Sequence, residues 1–317
     1  MADRYLFLAR RGKNHWWRYL LAITLILFSW LAIGNIPTLA LVLLVFYDGN
    51  EQTNFNSQSN KFEGIDILWN FWVINFAFIA FLIALYIAVR FIHQRAFITL
   101  ITPKIEIKIS RIMQGFLLWL ILLGVACAIE YFLFPQSYQL NYNSSKFLTF
   151  LPFALILTPI QTSVEELFFR GYIMQTVGLI TRISWIPIWF SSLIFAALHL
   201  GNPEIESSFY ILAGFYLVLA FFLALITVKD DSLELALGVH AANNLFTILL
   251  VNPTNSILPG YAVFNYNLNP TYTLISSAIA AILFYLIIFR SKAKDKQNKE
   301  TPKQPEPKVV RKPQKSN

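Results

Sequence analysis

The sequence predicts an all-α, polytopic integral membrane protein with about eight transmembrane helices and an intramembrane polar cavity. Of its 317 residues, 56% are hydrophobic and only 13% are charged, with a mean hydropathy of +0.56. This composition is too apolar for a soluble domain. Long apolar runs alternate with short polar segments, as in multi-spanning proteins. Carboxylates, an arginine and histidines interrupt several of these runs, and within a bilayer such groups need hydrogen-bond or ionic partners.

Each predicted helix follows from one apolar run. The runs lie at about 19–46, 67–89, 112–134, 147–180, 187–201, 209–228, 233–251 and 271–289. The first run is too long for the apolar core of a secretion signal, so it is expected to be a retained span. Pro152 and Pro159 inside the fourth run predict a kink or a break there. Pro187 is suited to the start of the fifth helix.

The charged residues predict the orientation of these helices. Arg10, Arg11 and Lys13 precede the first run, and several further basic residues, His93 among them as an interfacial histidine, lie between the second and third runs. The loops at 47–66 and 201–208 are acidic. Under the positive-inside rule both termini are cytoplasmic, and the short loops favour a prokaryotic plasma membrane. The net charge of +8 is therefore a signal of topology, with the lipid bilayer as the partner and no nucleic acid.

Four regions are expected along the chain. They are a basic cytoplasmic N-terminus at 1–18, transmembrane helices and loops at 19–111, a transmembrane domain at 112–290 that contains most of the polar residues within the apolar runs, and a disordered basic cytoplasmic tail at 291–317. The single cysteine, Cys127, excludes an intramolecular disulfide and is expected to be a small buried hydrophobe.

The fourth run contains the most unusual stretch, in which Glu165, Glu166 and Arg170 stand among apolar residues. Residues four apart share one face of a helix, so Glu166 and Arg170 are expected to pair. Glu165 points about 100° away from Glu166. It is therefore the carboxylate left for chemistry.

Two further pairs, each four residues apart, occur in later spans. Phe195 and His199 lie near the end of the fifth, and His240 and Asn244 lie in the seventh. Taken singly, each histidine is explained by a position at the membrane interface, and Asn244 by a hydrogen bond between two helices. Taken together, they indicate three helices that converge on one polar pocket. Counting residues nevertheless places His199 nearer the outside than Glu165, so a kink at Pro159 or a tilted fifth helix is needed to bring them together.

These three motifs, in this order and on separate spans, resemble those of the CPBP family, the CAAX-protease and bacteriocin-processing membrane proteins also called Abi or lysostaphin-resistance-A-like. The resemblance covers roughly residues 120–251. It implies an eight-helix fold, a cavity open towards the cytosol and a glutamate-dependent endopeptidase. Family members that process prenylated CAAX proteins remove the last three residues.

The residue types then suggest roles for each member of the motifs. No serine or cysteine stands beside a base at motif spacing, so water is the expected nucleophile, with Glu165 as its general base. His199 would hold the same water. His240 and Asn244 would donate hydrogen bonds to the developing oxyanion. Glu166, Arg170 and Phe195 are expected to support them.

Metal dependence and function class stay open at this point. A zinc ion could bind Glu165, His199 and His240, but a His-Glu-x-x-His motif is absent and a metal-free glutamate mechanism is favoured. One alternative is a non-proteolytic binding partner of the same fold, such as an immunity protein or a regulator of sensor kinases. Another is a proton-coupled transporter with Glu165 as carrier. The substrate is expected to be a peptide or protein at the membrane.

Overall fold

The computed structural model describes residues 4–56, 61–181 and 183–300, with side chains as far as residue 290. Its architecture is a bundle of ten α-helices, and short π and 3₁₀ turns join some of them into longer segments. The helices are α1 Trp16–Phe28, α2 Ile36–Tyr47, α3 Ile67–Ile87, α4 Ile109–Leu133, α5 Ser144–Glu166, α6 Met174–Ile180, α7 Trp185–Leu198, α8 Phe209–Asp230, α9 Glu234–Leu249 and α10 Pro270–Glu300.

Six helical segments of the described chain are long and apolar enough to cross a membrane. They are Trp16–Tyr47, Ile67–Ile92, Ile109–Leu133, Ser144–Ile180, Phe209–Asp230 and Pro270–Arg290. The fifth and seventh predicted spans correspond to the shorter helices α7 and α9. The integral membrane fold is thus confirmed, and the count of eight crossings stays a prediction.

The connections between these segments collect at two opposite ends of the bundle. At one end, which we call the basic face, residues 4–15 meet residues 93–108 and 229–233: Lys13 N donates to His93 O at 2.7 Å, and Leu233 N donates to Ile101 O at 2.8 Å. His93, expected at the interface, is buried here. Successive connections alternate between the two ends of the bundle along the chain, as they would with eight crossings.

The other end, which we call the acidic face, carries two small sheets. Strands β1 Asn54–Asn56 and β2 Lys61–Glu63 form a hairpin. Strands β3 Tyr138–Leu140, β4 Val251–Pro253 and β5 Phe264–Tyr266 form a sheet of order β3-β5-β4, antiparallel between β3 and β5 and parallel between β5 and β4. These strands tie the loop before α5 to the loop between α9 and α10.

Two helices that start at this face, α3 and α5, have side-chain caps. The side chain of Asp66 accepts from Leu68 N at 2.8 Å at the start of α3, and that of Asn143 accepts from Lys146 N at 3.1 Å at the start of α5. Such caps satisfy N–H groups that have no partner within the helix.

The break expected at the prolines of the fourth span does not occur, because Pro152 and Pro159 both lie inside continuous α5. The departure from α geometry comes later, in the π-helical turn Leu167–Ile173 that joins α5 to α6. Single π turns within helices often accompany functional sites. The glutamate pair ends α5 at the entrance to this turn.

The helices α4 and α9 pack closely because glycines remove side chains from the contact. A Cβ added at Gly115 would stand 2.5 Å from Leu235 O, and one at Gly238 would overlap Ile112 O. This contact fixes α9, which carries His240 and Asn244, against the rest of the bundle. At the C-terminal end, α10 continues past Arg290 to Glu300, into the segment expected to be disordered, and residues 301–317 lie outside the described residues.

Candidate active site

The sequence motifs meet at a cavity of about 520 Å³ inside the bundle. Its lining includes every residue proposed to take part in catalysis, namely Glu165, His199, His240 and Asn244, together with Phe195. Helix α9 packs against both α4 and α5, and α7 packs against the π turn that follows Glu166. The distance problem posed by the sequence is therefore solved by packing, since His199 and Glu165 line one cavity.

The two adjacent glutamates have different surroundings. Oε1 of Glu166 accepts from Nη1 of Arg170 at 2.7 Å and lies 2.8 Å from Nδ1 of His240. Glu166 and Arg170 have no exposed surface. The predicted ion pair therefore forms, and it fixes both side chains.

Arg170 is held by two more contacts. Its Nη2 donates to Ala220 O on α8 at 3.0 Å, and its guanidinium lies over the Phe195 ring, 4.5 Å from the ring centroid. Contacts of this kind offset part of the cost of burying a charge. Phe195 lines the cavity, and its ring thus lies between the cavity and Arg170.

Glu165 belongs to the cavity rather than to this ion pair. It is 9% exposed, lines the cavity, and has Oε2 3.8 Å from Nε2 of His240. That separation is longer than a hydrogen bond. The carboxylate is thus placed to interact with a molecule inside the cavity.

Hydrogen bonds fix the orientation of both histidines. Nδ1 of His199 lies 2.7 Å from Phe195 O, and Nδ1 of His240 faces the Glu166 carboxylate. A carbonyl or carboxylate oxygen only accepts, so each Nδ1 carries a hydrogen and each Nε2 is left for the cavity. Phe195 packs against both rings, with centroid distances of 4.3 Å to His199 and 6.0 Å to His240.

Asn244 follows His240 by one turn of α9 and is 9% exposed. Its Oδ1 accepts from Nδ2 of Asn243 at 3.3 Å, and Asn243 Oδ1 accepts from Nε1 of Trp119 at 3.3 Å. Because the oxygen of Asn244 faces a donor, its own amide N–H groups are directed elsewhere. They are available to an acceptor in the cavity.

The sequence did not predict several polar groups of the cavity. Tyr216 packs on the His199 ring at 4.7 Å and donates to Oε1 of Glu204 at 2.5 Å. Glu130, near the end of α4, is buried and accepts from Tyr138 at 2.9 Å. Cys127 lines the same cavity. Among the polar groups that were missed, Gln161 had a signal in the sequence, because it lies one helical turn before Glu165, and it also lines the cavity.

The side chains as placed do not fit a bound metal ion. The described residues contain no group of three His, Cys, Asp or Glu side chains arranged to hold one. A structural or catalytic zinc site needs three or four such ligands at about 2 Å. These side chains therefore support no metal-dependent step, and metal independence stays a prediction.

The cavity extends from Glu165 and His240 towards the acidic face. Its lining at that end includes Tyr138, Glu204, Pro253 and Tyr266. The resemblance implies a cavity open to the cytosol, and this end carries the loops that the charge pattern predicts to lie outside. The side of the membrane on which the cavity opens stays a prediction.

An apolar helical bundle with a buried polar cavity, lined by a glutamate, two histidines and an asparagine, defines a class of membrane protein built for chemistry or binding within the bilayer. A sequence profile described as type II CAAX prenyl endopeptidase, Rce1-like, matches residues 144–246. This stretch contains all of the motif residues.

A relative with similarity over most of the chain is the uncharacterized protein YyaK of Bacillus subtilis (strain 168), which is 34% identical over 252 residues, covering 78% of this chain and 82% of YyaK. No solved structure matches the chain. The chain belongs to the Rce1-like CAAX protease family, the group of membrane endopeptidases that its motifs resembled.

Proposed function

We propose that this protein is an intramembrane endopeptidase of the CPBP type that hydrolyses a peptide bond with a water molecule activated by Glu165. One observation carries the proposal: of two adjacent glutamates, Glu166 is bound by Arg170 and His240, whereas Glu165 faces the cavity. A general base must be within reach of the proton that it takes. Glu165 has the position for this role.

The remaining groups divide the steps of hydrolysis among them. Glu165 takes a proton from water, and the water oxygen forms a bond to the carbonyl carbon. His199, through Nε2, holds the water in line. Glu165 then gives its proton to the leaving amine as the carbon–nitrogen bond breaks. Each of these groups lines the cavity.

Stabilisation of the oxyanion falls to His240 and Asn244. Nδ1 of His240 already donates to Glu166, so Nε2 donates to an oxyanion only from the imidazolium form. The amide of Asn244 supplies a second donor. Phe195 keeps Arg170 away from the developing charge while holding both histidine rings.

The orientation that accompanies this proposal has both termini in the cytoplasm of a prokaryotic cell. It is supported by the clustering of basic loops at one end of the bundle and acidic loops at the other. The substrate is a peptide or membrane protein segment, and no bound metal takes part in the mechanism.

The test compares host membranes that contain the wild type with membranes that contain Glu165→Gln at equal abundance. New peptide termini are collected from both by mass spectrometry. The proposal predicts a set of cleavages present with the wild type and missing with the variant. If the two sets coincide while both proteins are folded, the protein is not a Glu165-dependent protease and its cavity is better described as a binding site.

A further inference from the structure

The first observation concerns the place where the cavity reaches the surface of the bundle within the apolar spans. Of the described residues that line the cavity, three are exposed, namely Leu31, Asn35 and Leu198. Leu31 and Asn35 lie in the middle of the first span, Trp16–Tyr47, and Leu198 is the last residue of α7. The cavity therefore has an opening on the side of the bundle, towards the lipid.

This opening lies at about the depth of the proposed general base. The first span and α7 begin near the basic face, and α6 ends there, where a Cβ added at Gly178 would stand 2.6 Å from Leu6 O. At 1.5 Å per residue, Leu31, Leu198 and Glu165 are each about 20 Å along their helical segments from that end. The hydrocarbon core of a bilayer is about 30 Å thick. The opening and the candidate site are thus both inside it.

A row of five aromatic rings joins the two sides of the opening. Successive ring centroids are 5.3, 5.1, 5.1 and 5.1 Å apart along Trp30, Phe81, Phe168, Phe169 and Phe195. All of these residues except Phe168 line the cavity. Trp30 directly precedes Leu31 on the first span, and Phe195 lies one turn before Leu198 on α7. The row is therefore a wall of the passage, with the two exposed leucines beside its ends.

The first span is interrupted at the level of the opening. The π turn Ser29–Ile33 lies between α1 and α2. Nδ2 of Asn35 donates to Trp30 O at 3.3 Å and to Leu31 O at 3.1 Å, so the side chain supplies partners that a continuous helix would provide. Val45 is the single buried residue among the twelve of α2. Because little packing holds α2 in place, this half of the span is suited to widening the opening.

The lining beyond the opening fits a peptide better than a lipid chain. Besides the candidate catalytic residues, it includes the polar side chains of Gln161, Asn243, Thr247 and Ser277. A peptide backbone within the bilayer has N–H and C=O groups that need such partners. A hydrocarbon chain forms no hydrogen bonds, so it would cover these polar groups at a cost in free energy.

Resting on the proposed function, we infer that the substrate is a transmembrane segment of another membrane protein, which reaches Glu165 sideways from the bilayer between the first span and α7. The segment enters beside Leu31, Asn35 and Leu198, and its peptide bond is cut within the membrane. This assigns a substrate class and a route to the candidate site.

A photo-crosslinking experiment tests the opening without proteolysis. The probe is a synthetic transmembrane peptide of leucine and alanine with lysines at both ends, a central Gly-Pro interruption and a diazirine side chain beside it. The peptide and the Glu165→Gln variant are reconstituted in phosphatidylcholine liposomes and irradiated, and the cross-linked residues are identified by mass spectrometry. We expect cross-links to Asn243 and Thr247 inside the cavity. Cross-links confined to lipid-facing residues such as Ile121 and Ile129, which are exposed and do not line the cavity, would overturn the inference.

Matched substitutions locate the passage. The double variant Leu31→Trp/Leu198→Trp enlarges both sides of the opening, whereas Leu39→Trp/Leu193→Trp enlarges two leucines that do not line the cavity. Leu193 and Leu198 are both 53% exposed, and Leu31 and Leu39 are 59% and 61% exposed. We expect the cavity cross-links to be lost in the first double variant and retained in the second. Equal yields in the two would show that the peptide does not pass between the first span and α7.

A lipid chain is the alternative occupant that the same experiment detects. A phosphatidylcholine with a diazirine in its acyl chain replaces the peptide as the probe. Labelling of the cavity by this lipid, without labelling by the transmembrane peptide, would contradict the proposed substrate class.

The positions of Glu165-dependent cleavage sites in host membranes provide the second readout. They should lie within transmembrane segments of the cleaved proteins. Sites confined to loops or terminal tails would overturn the substrate class and leave the proposed function standing. Cavity cross-links without any Glu165-dependent cleavage would overturn the proposed function and leave the lateral opening intact. The two ideas therefore fail in different experiments.

Discussion

Glu166 and Arg170 form an ion pair in which Nη1 and Oε1 are 2.7 Å apart and neither side chain is exposed. His240 adds a hydrogen bond of 2.8 Å to the same carboxylate oxygen. This shared oxygen links the helix of the glutamates to the helix of the second histidine. Folding and the placement of the candidate site consequently depend on one carboxylate, while its neighbour Glu165 remains directed at the cavity.

The two glutamates should therefore respond differently to the same substitution. Glu166→Gln leaves Arg170 buried without a counter-charge, and breaking a buried pair in this way costs about 3–5 kcal/mol. Glu165→Gln removes no ion pair with arginine and should leave stability close to that of the wild type. Thermal unfolding of both variants in the same detergent measures the difference. Equal melting temperatures for the two variants would contradict the assignment of Glu166 as the structural member.

The two nitrogens of His240 can be tested separately. Asparagine places a donor near the position of Nδ1, so His240→Asn should keep the bond to Glu166 and preserve stability while losing the group at Nε2. We expect proteolysis to fall on the order of a hundredfold, the effect of losing one oxyanion donor. The measurement is the cleavage rate at equal amounts of folded protein.

The reciprocal variant His240→Gln supplies the control. Glutamine extends a donor towards the position of Nε2 and leaves the Glu166 contact unmade, so it should lower the melting temperature more than His240→Asn does. Full activity in His240→Asn would show that Nε2 of His240 has no role in the mechanism.

Close packing of α4 and α9 should be essential to the site. Gly238→Ala places a methyl group onto Ile112 O, and overpacking of this kind costs about 1–3 kcal/mol or more. Since α9 carries His240 and Asn244, both stability and cleavage should fall. Gly124→Ala is the matched control, because a Cβ at Gly124 on α4 has no neighbour within 4 Å. Equal melting temperatures for the two alanine variants would contradict this packing.

Proteolysis is expected to be independent of a bound metal. The described side chains do not form a group of three metal ligands, so treatment with a strong chelator should leave the cleavage rate unchanged. Elemental analysis of the purified protein is the independent measurement. One zinc per chain in the wild type, lost in His199→Ala together with activity, would show that the ligands rearrange around a metal.

Much of this site could be predicted from the sequence because its signals are local. The spacing of Glu166 and Arg170 fixes an ion pair through helical geometry alone, and the pair forms. Apolar run length likewise predicted the six long spans. The meeting of His199 with the Glu165 cavity depends instead on how α7 packs against the π turn Leu167–Ile173. Residue counting carries no information on that contact.

The shape of the cavity was also beyond the sequence. Loops far apart in the chain meet beside it, as where Ile257 N donates to Oε2 of Glu204 at 3.1 Å. Glu130, near the end of α4, is buried and accepts a hydrogen bond from Tyr138 on β3, a contact between elements that no local pattern in the sequence indicates. Of the kink or break that Pro152 and Pro159 predicted, the break is excluded because helix α5 continues through both residues, and the kink stays a prediction.

The most direct test of the central claim uses purified protein in proteoliposomes with one cleaved segment identified from host membranes. Wild type, Glu165→Gln and Glu165→Asp are compared at matched folding and reconstitution. The account predicts cleavage by the wild type, a loss of at least about a hundredfold in Glu165→Gln, and partial activity in Glu165→Asp, which keeps a carboxylate. Cleavage by Glu165→Gln at the rate of the wild type would show that Glu165 is not the base.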